Sequence, residues 1–264
     1  MKKNNIHFKI SIIWKYIIPI LLFLFLLMNR YHKNINNPIA EKKISNLKKD
    51  SVKNENITNE KVSKECNASL YYNNKIKVDS NNIPLKKSQY YFPLKLFPII
   101  DLYGKIVPNN LDTFLVNWYS EQLFALKEPL LFNKKMNKEV YRFTWLRTFH
   151  HPIAIRIEKE NGVNKLYWKE CDGAGGYEPG NLITDKSKVI SKLDWDVFHN
   201  KLSRLDFWNC GIGTGLVGTD GSFWILEGAT PDRYYVISEW EGKMDCCLYL
   251  LKLTDLKIPD KEIY

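Results

Sequence analysis

No C-x-x-C pair occurs among the five cysteines, Cys66, Cys171, Cys210, Cys246 and Cys247. Without that spacing a structural zinc site has no ligand framework, and no metal is expected. Five is also odd, so the cysteines do not close into a disulfide framework. They read as small apolar core residues, with a Cys171–Cys210 bridge as the alternative in an oxidising compartment. In the adjacent pair Cys246-Cys247 one side chain is expected inside and the other outside.

A dinucleotide site is missing in all but letters. Gly213-Thr214-Gly215-Leu216-Val217-Gly218 matches G-x-G-x-x-G, but the fingerprint needs a strand before it and a helix after it, so that the pyrophosphate meets the helix N-terminus. Here a helix and FWNC precede the glycines and a strand follows. The segment reads as a loop, and no cofactor is expected.

Positive charge is lacking where a nucleic-acid surface would need it. The formal net charge is +10, yet residues 1–65 hold 13 Lys/Arg against 5 Asp/Glu, which leaves 26 against 24 for the remainder. Phosphate neutralisation supplies most non-specific affinity for nucleic acid. A nearly neutral folded part therefore excludes that partner class.

Only one long hydrophobic run is present, Ile10 to Met28, ISIIWKYIIPILLFLFLLM, and its single charge is Lys15. About 20 apolar residues in a helix span a hydrocarbon core of roughly 30 Å. Lys15 near one end can snorkel to the headgroups, and Trp14 and Tyr16 suit an interfacial belt. Small residues for cleavage are absent after the run, where Met28-Asn29-Arg30-Tyr31 stands, and no cysteine stands directly after it for lipidation, the first being Cys66. The run is expected to be an uncleaved transmembrane helix over residues 10–28, after a short segment 1–9, with the lipid bilayer as its partner. Basic residues flank both sides almost equally, but a very short N-terminal segment before a long domain places the domain away from the cytoplasm.

Residues 29–84 are rich in Asn, Lys, Ser and Glu with no sustained apolar period, the composition of a flexible polar stalk. Asn56-Ile57-Thr58 and Asn67-Ala68-Ser69 match the glycosylation pattern, as an Asn-rich stretch does by chance. The Lys/Asn bias points to a bacterial source.

Residues 85–264 carry the folded pattern. Asp112 can cap a helix whose apolar side is Leu115, Trp118, Tyr119, Gln122 or Leu123, and Leu126, ended by Glu128-Pro129. VYRFTWLRTF over 140–149 is a strand, broken by His150-His151-Pro152. IAIRIEKE and VNKLYWKE alternate on either side of Asn161-Gly162, which predicts a hairpin because both central residues of a type I′ turn need positive φ. After the loop CDGAGGYEPG, Asp194 caps a second helix with Trp195, Phe198, Leu202 and Leu205. SFWILEGA and DRYYVISEW are strands around a turn at Pro231-Asp232, and DCCLYLLKLTDL is a third helix. The class is α+β: an antiparallel sheet of about five strands with two or three helices.

Five residues are candidates for chemistry. His150 and His151 stand at a strand end, where functional residues often lie. Glu178 in GGYEPG, Asp220 and Glu227 could supply a carboxylate pair for acid and base work. Arg147, Arg156 and Arg233 could instead pair with these acids. Glu227 in particular sits in a strand, where a carboxylate needs a partner. Adjacent histidines point to different sides and do not share a metal as an i, i+4 helical pair would.

From about Asn110 onward, WLRTFHHPIAIRI, GAGGYEPGNL and TDGSFWILEGATPDRYYVISEW resemble segments, in the same order, of a set of small uncharacterised bacterial proteins. The resemblance covers a little over half the chain and implies no activity. It implies a recurring module to which an anchor and stalk are joined. Many aromatics, near-neutral charge and no nucleophile beside a base point to a binding domain at the membrane surface, for an unknown protein or envelope ligand. The alternatives are an envelope hydrolase using His150 or His151 with Glu178, Asp220 or Glu227, and an immunity-type inhibitor.

Overall fold

The computed structural model describes residues 76–93, 96–97, 111–132, 137–211, 213, 218 and 220–264. The expected transmembrane helix over 10–28, and the stalk as far as residue 75, lie outside them. No described helix is long and apolar enough to cross a membrane.

The fold is α+β. Helix α1 spans Leu111–Ala125. Strands β1 (Glu139–Arg147), β2 (Ile153–Glu160), β3 (Val163–Cys171) and β4 (Leu182–Val189) precede helix α2 (Lys192–Arg204). Strands β5 (Ser222–Ala229) and β6 (Tyr234–Trp240), helix α3 (Asp245–Leu253) and a 3-10 turn at Asp260–Glu262 complete it. All strands pair antiparallel in the order β4-β3-β2-β1-β5-β6.

The sheet has six strands where the pattern predicts about five. The strand not anticipated is β4, LITDKSKV, which is mostly exposed and lies at the sheet edge. An edge strand buries neither face fully, so it lacks the alternation that marks a strand in sequence. The hairpin is as expected: Glu160 pairs with Val163, and Asn161 and Gly162 have φ of 50° and 79°.

Strand β1 is buried on both faces because each carries a layer. On one face Tyr141, Phe143 and Trp145 meet Ile157, Ile155 and Ile153 of β2. Trp195 and Phe198 of α2 and Phe207 pack their rings against Tyr141. Gly228, opposite Tyr141, leaves room for these rings, since a Cβ there would fall 2.6 Å from Phe207 Cε1. On the other face Phe223 meets Trp118 and Tyr119 of α1. Residues 76–84, assigned to the stalk by composition, also reach this core: Ile76 and Val78 pack on it, and Asn82 O accepts from Leu130 N at 2.9 Å.

Three helix ends differ from the expected pattern. α1 begins at Leu111, so Asp112 lies inside its first turn and not at the cap. Ser191, not Asp194, caps α2; its Oγ accepts from Asp194 N at 3.0 Å, while Asp194 Oδ2 accepts from Ser191 N at 3.3 Å. Asp194 is thus the third-position partner of a capping box. After α1, Glu128 N donates to Leu123 O and Lys127 N to Phe124 O, both at 3.0 Å, with Lys127 at φ 49°. That is a Schellman ending with lysine at the left-handed position that glycine favours.

Cys246 and Cys247 are both buried, correcting the expectation of one inside and one outside. Neighbours on a helix lie about 100° apart, and the apolar arc of α3, which also holds Leu250 and Leu251, is wide enough for both. Cys171, Cys210, Cys246 and Cys247 are all free thiols, so the Cys171–Cys210 bridge does not form.

Candidate functional site

The five nominated residues do not gather. Glu227 is fully buried on β5, directly opposite Arg142 on β1. Its Oε2 lies 2.5 Å from Arg142 Nη2 and accepts from Arg142 Nε at 2.7 Å, while Oε1 accepts from Tyr234 Oη at 2.9 Å. Its partner is therefore Arg142, not Arg147, Arg156 or Arg233, because the strand register decides which cation faces it. His150 lies beyond Arg147, the position five residues along β1 from Arg142. At about 3.4 Å per strand residue that separates the ends of the set by roughly 17 Å or more.

The histidines diverge as well. His150 Nδ1 lies 2.8 Å from Tyr264 Oη and its Nε2 3.5 Å from Glu262 Oε2. His151 Nδ1 lies 2.9 Å from Glu170 Oε1. Glu178 and Asp220 are exposed. No metal-holding group of three or more His, Cys, Asp or Glu side chains occurs among the described residues.

Glu227 belongs to a buried charge row. Register places Arg142 and Arg156 opposite one another across β1 and β2, a like-charge pairing that is unfavourable by itself. Glu128, delivered by the end of α1, resolves it. Its Oε2 lies 2.9 Å from Arg156 Nε and 3.5 Å from Arg142 Nη1, and Oε1 lies 3.6 Å from Lys169 Nζ. Carbonyls at the same end take the remaining protons: Arg142 Nη1 donates to Pro129 O and Lys169 Nζ to Lys127 O, both at 2.6 Å. Burial alone would raise the Glu128 carboxyl, but Arg156, Arg142 and Lys169 outweigh it and hold the group below the ordinary range. Every member is enclosed, so this row stabilises the fold and offers no surface to a ligand.

The open geometry lies on the opposite face. A cleft of about 390 Å³ is lined by Glu139, Tyr141, His199, Asp206, Trp208 and Arg233, among others. That volume falls within the range of small-molecule sites, roughly 300–1,000 Å³. The Arg233 guanidinium carbon sits 3.8 Å from the centre of the Trp208 ring. In the same cleft Glu139 Oε1 accepts from Tyr141 Oη at 2.7 Å and lies 3.2 Å from His199 Nε2. Burial pushes the Glu139 carboxyl upward, yet the contacts with His199 and Tyr141 prevail and hold it below its usual value. The cleft thus combines a stacked cation, a carboxylate and an imidazole on an aromatic floor.

Sequence reasoning passed over Glu139, His199 and Trp208. Glu139 precedes an apolar strand and His199 lies within an amphipathic helix, so each reads locally as a solvated residue. Only the packing of α2 on β1 joins them.

Comparison with family models, with curated proteins and with solved structures gives no match.

Proposed function

We propose that the folded domain is a non-catalytic binding module, held at a membrane by residues 10–28 and displayed away from the cytoplasm. The observation that carries the binding role is the cleft, in which Arg233 lies over the Trp208 ring and Glu139 and Asp206 line the same walls. An arginine stacked on indole keeps its in-plane donors available while its face is covered. Such a floor suits a polar envelope ligand bearing both a flat surface and acceptor groups. The membrane placement rests on the apolar run alone. An immunity-type inhibitor would be the same module with a toxin as its ligand.

The test is capture from envelope extract by the full-length chain, with Trp208→Ala and Arg233→Ala as paired variants. A component retained by the wild type and lost from both variants supports the reading; identical capture by all three overturns it. Recovery of the intact chain in the aqueous fraction after carbonate washing would overturn the membrane placement.

A second reading, an envelope hydrolase, draws on the Glu139–His199 contact in the same cleft. It requires His199→Gln to abolish turnover of a hydrolysable envelope polymer while capture persists. Turnover unchanged in that variant would remove it.

A further inference from the structure

The end of the sheet away from the cleft holds a second constellation. Register places Trp145 opposite Trp224 and Arg147 opposite Ser222, two successive pairs on one face of β1 and β5. Their donors converge. Trp224 Nε1 donates to the main-chain oxygen of Tyr264 at 2.9 Å and Trp145 Nε1 to the same oxygen at 3.3 Å. Ser222 Oγ donates to it as well. Three donors from two strands thus meet on one oxygen.

Arg147 is the unfinished part. It is 2% exposed, lies over the Trp145 ring at 4.3 Å, and its Nε has no hydrogen-bond partner among the described residues. Its nearest carboxylate, Glu262, stays 3.5 Å from Nη1, and Nη2 reaches only the His151 carbonyl at 3.4 Å. A buried guanidinium that meets its anion through one nitrogen at 3.5 Å and leaves Nε unbonded is only partly satisfied, and two parallel N–H···O bonds to one carboxylate are the arrangement that satisfies it best. The segment around Tyr264 fills the donor set without completing it.

We propose that Trp145, Arg147, Ser222 and Trp224 form a carboxylate-binding site, filled in this structure by the chain's own residues Glu262 and Tyr264. An incoming carboxylate places one oxygen on the two indoles and Ser222, and the other on the Arg147 guanidinium. The Tyr264 segment is held by Glu262 on Arg147, by its hydroxyl on His150 and by the three bonds to its main-chain oxygen. Releasing the first two leaves only the bonds that an incoming carboxylate replaces. The ligand is a carboxylate, borne by a peptide terminus or by a small molecule.

The test uses the full-length chain carrying Glu262→Gln and Tyr264→Phe, and reads the indole Nε1–H signals of Trp145 and Trp224 by NMR. N-acetyltyrosine should shift both signals and bind at least tenfold more tightly than N-acetyltyrosinamide, which lacks the charge. The wild-type chain should bind the acid at least tenfold more weakly than the variant. Equal binding of acid and amide, or binding of the acid without movement of the indole signals, overturns the proposal, as does no binding to a folded variant. Should the double variant fail to fold, Tyr264→Phe alone carries the same comparison. A peptide of residues 258–264 with a free terminus, binding more tightly than N-acetyltyrosine, assigns the site to peptide ends; equal binding assigns it to small carboxylates.

Discussion

Glu227 Oε2 lies 2.5 Å from Arg142 Nη2, the two side chains facing one another across β1 and β5 with neither open to solvent. Removing one partner of such a pair leaves an uncompensated buried charge, which costs about 3–5 kcal/mol. Glu227→Gln is therefore expected to lower unfolding free energy by that order in urea denaturation. Capture by the folded variant should be unchanged, because Glu227 is not among the residues that line the cleft.

The pH dependence of stability should follow Glu128. Its folded-state value is held below the ordinary carboxylate value. A depressed group binds fewer protons folded than unfolded, so its contribution is complete above the ordinary value and is lost as pH falls through the lowered one. The stability difference between wild type and Glu128→Gln should be largest near neutrality and shrink through the acid range. A constant difference across that range would contradict it.

Lys127 occupies a left-handed position at φ 49° after α1. A side chain there costs roughly 1–2 kcal/mol relative to glycine, while the carbonyl that accepts from Lys169 belongs to the backbone and survives substitution. Lys127→Gly should raise thermal stability by about 1 kcal/mol, offset in part by greater freedom of the unfolded chain. A lower midpoint would show that the lysine side chain matters.

Three of the four described thiols should be slow because burial raises them, and Cys246, which its hydrogen bond with Cys247 holds below the usual thiol value, should be slow only because it is buried. Burial pushes Cys171 and Cys210 up to about 11, and Cys247 well above its ordinary value. Only thiolates react readily with iodoacetamide. In a Cys66→Ser chain, labelling near neutral pH should be slow until denaturant is added, after which four groups become available. Fast labelling of the native chain would contradict the burial of Cys171, Cys246 and Cys247.

Much of the architecture was legible because local signals and tertiary demand agree. Asn161-Gly162 between two alternating runs requires the turn found there. Trp195, Phe198 and Leu202 recur at helical spacing and all enter the core. β4 was not legible, since an exposed edge strand of mixed residues carries no period. Of the nominated site residues, Glu227 showed its need for a partner in sequence. The identity of that partner did not show, because three other arginines were equally plausible until register was known.

The sequence by itself determined the hairpin turn at Asn161-Gly162 and the helical and strand segments with a clear apolar period, because these depend on neighbours a few residues apart. Tertiary structure alone decided that Arg142 faces Glu227, that Glu139 meets His199, and that two indoles and a serine meet on Tyr264. Those contacts join residues 40 to 119 positions apart, or depend on which strands pair. Side-chain chemistry states what a residue needs, and only the packed chain brings what it gets.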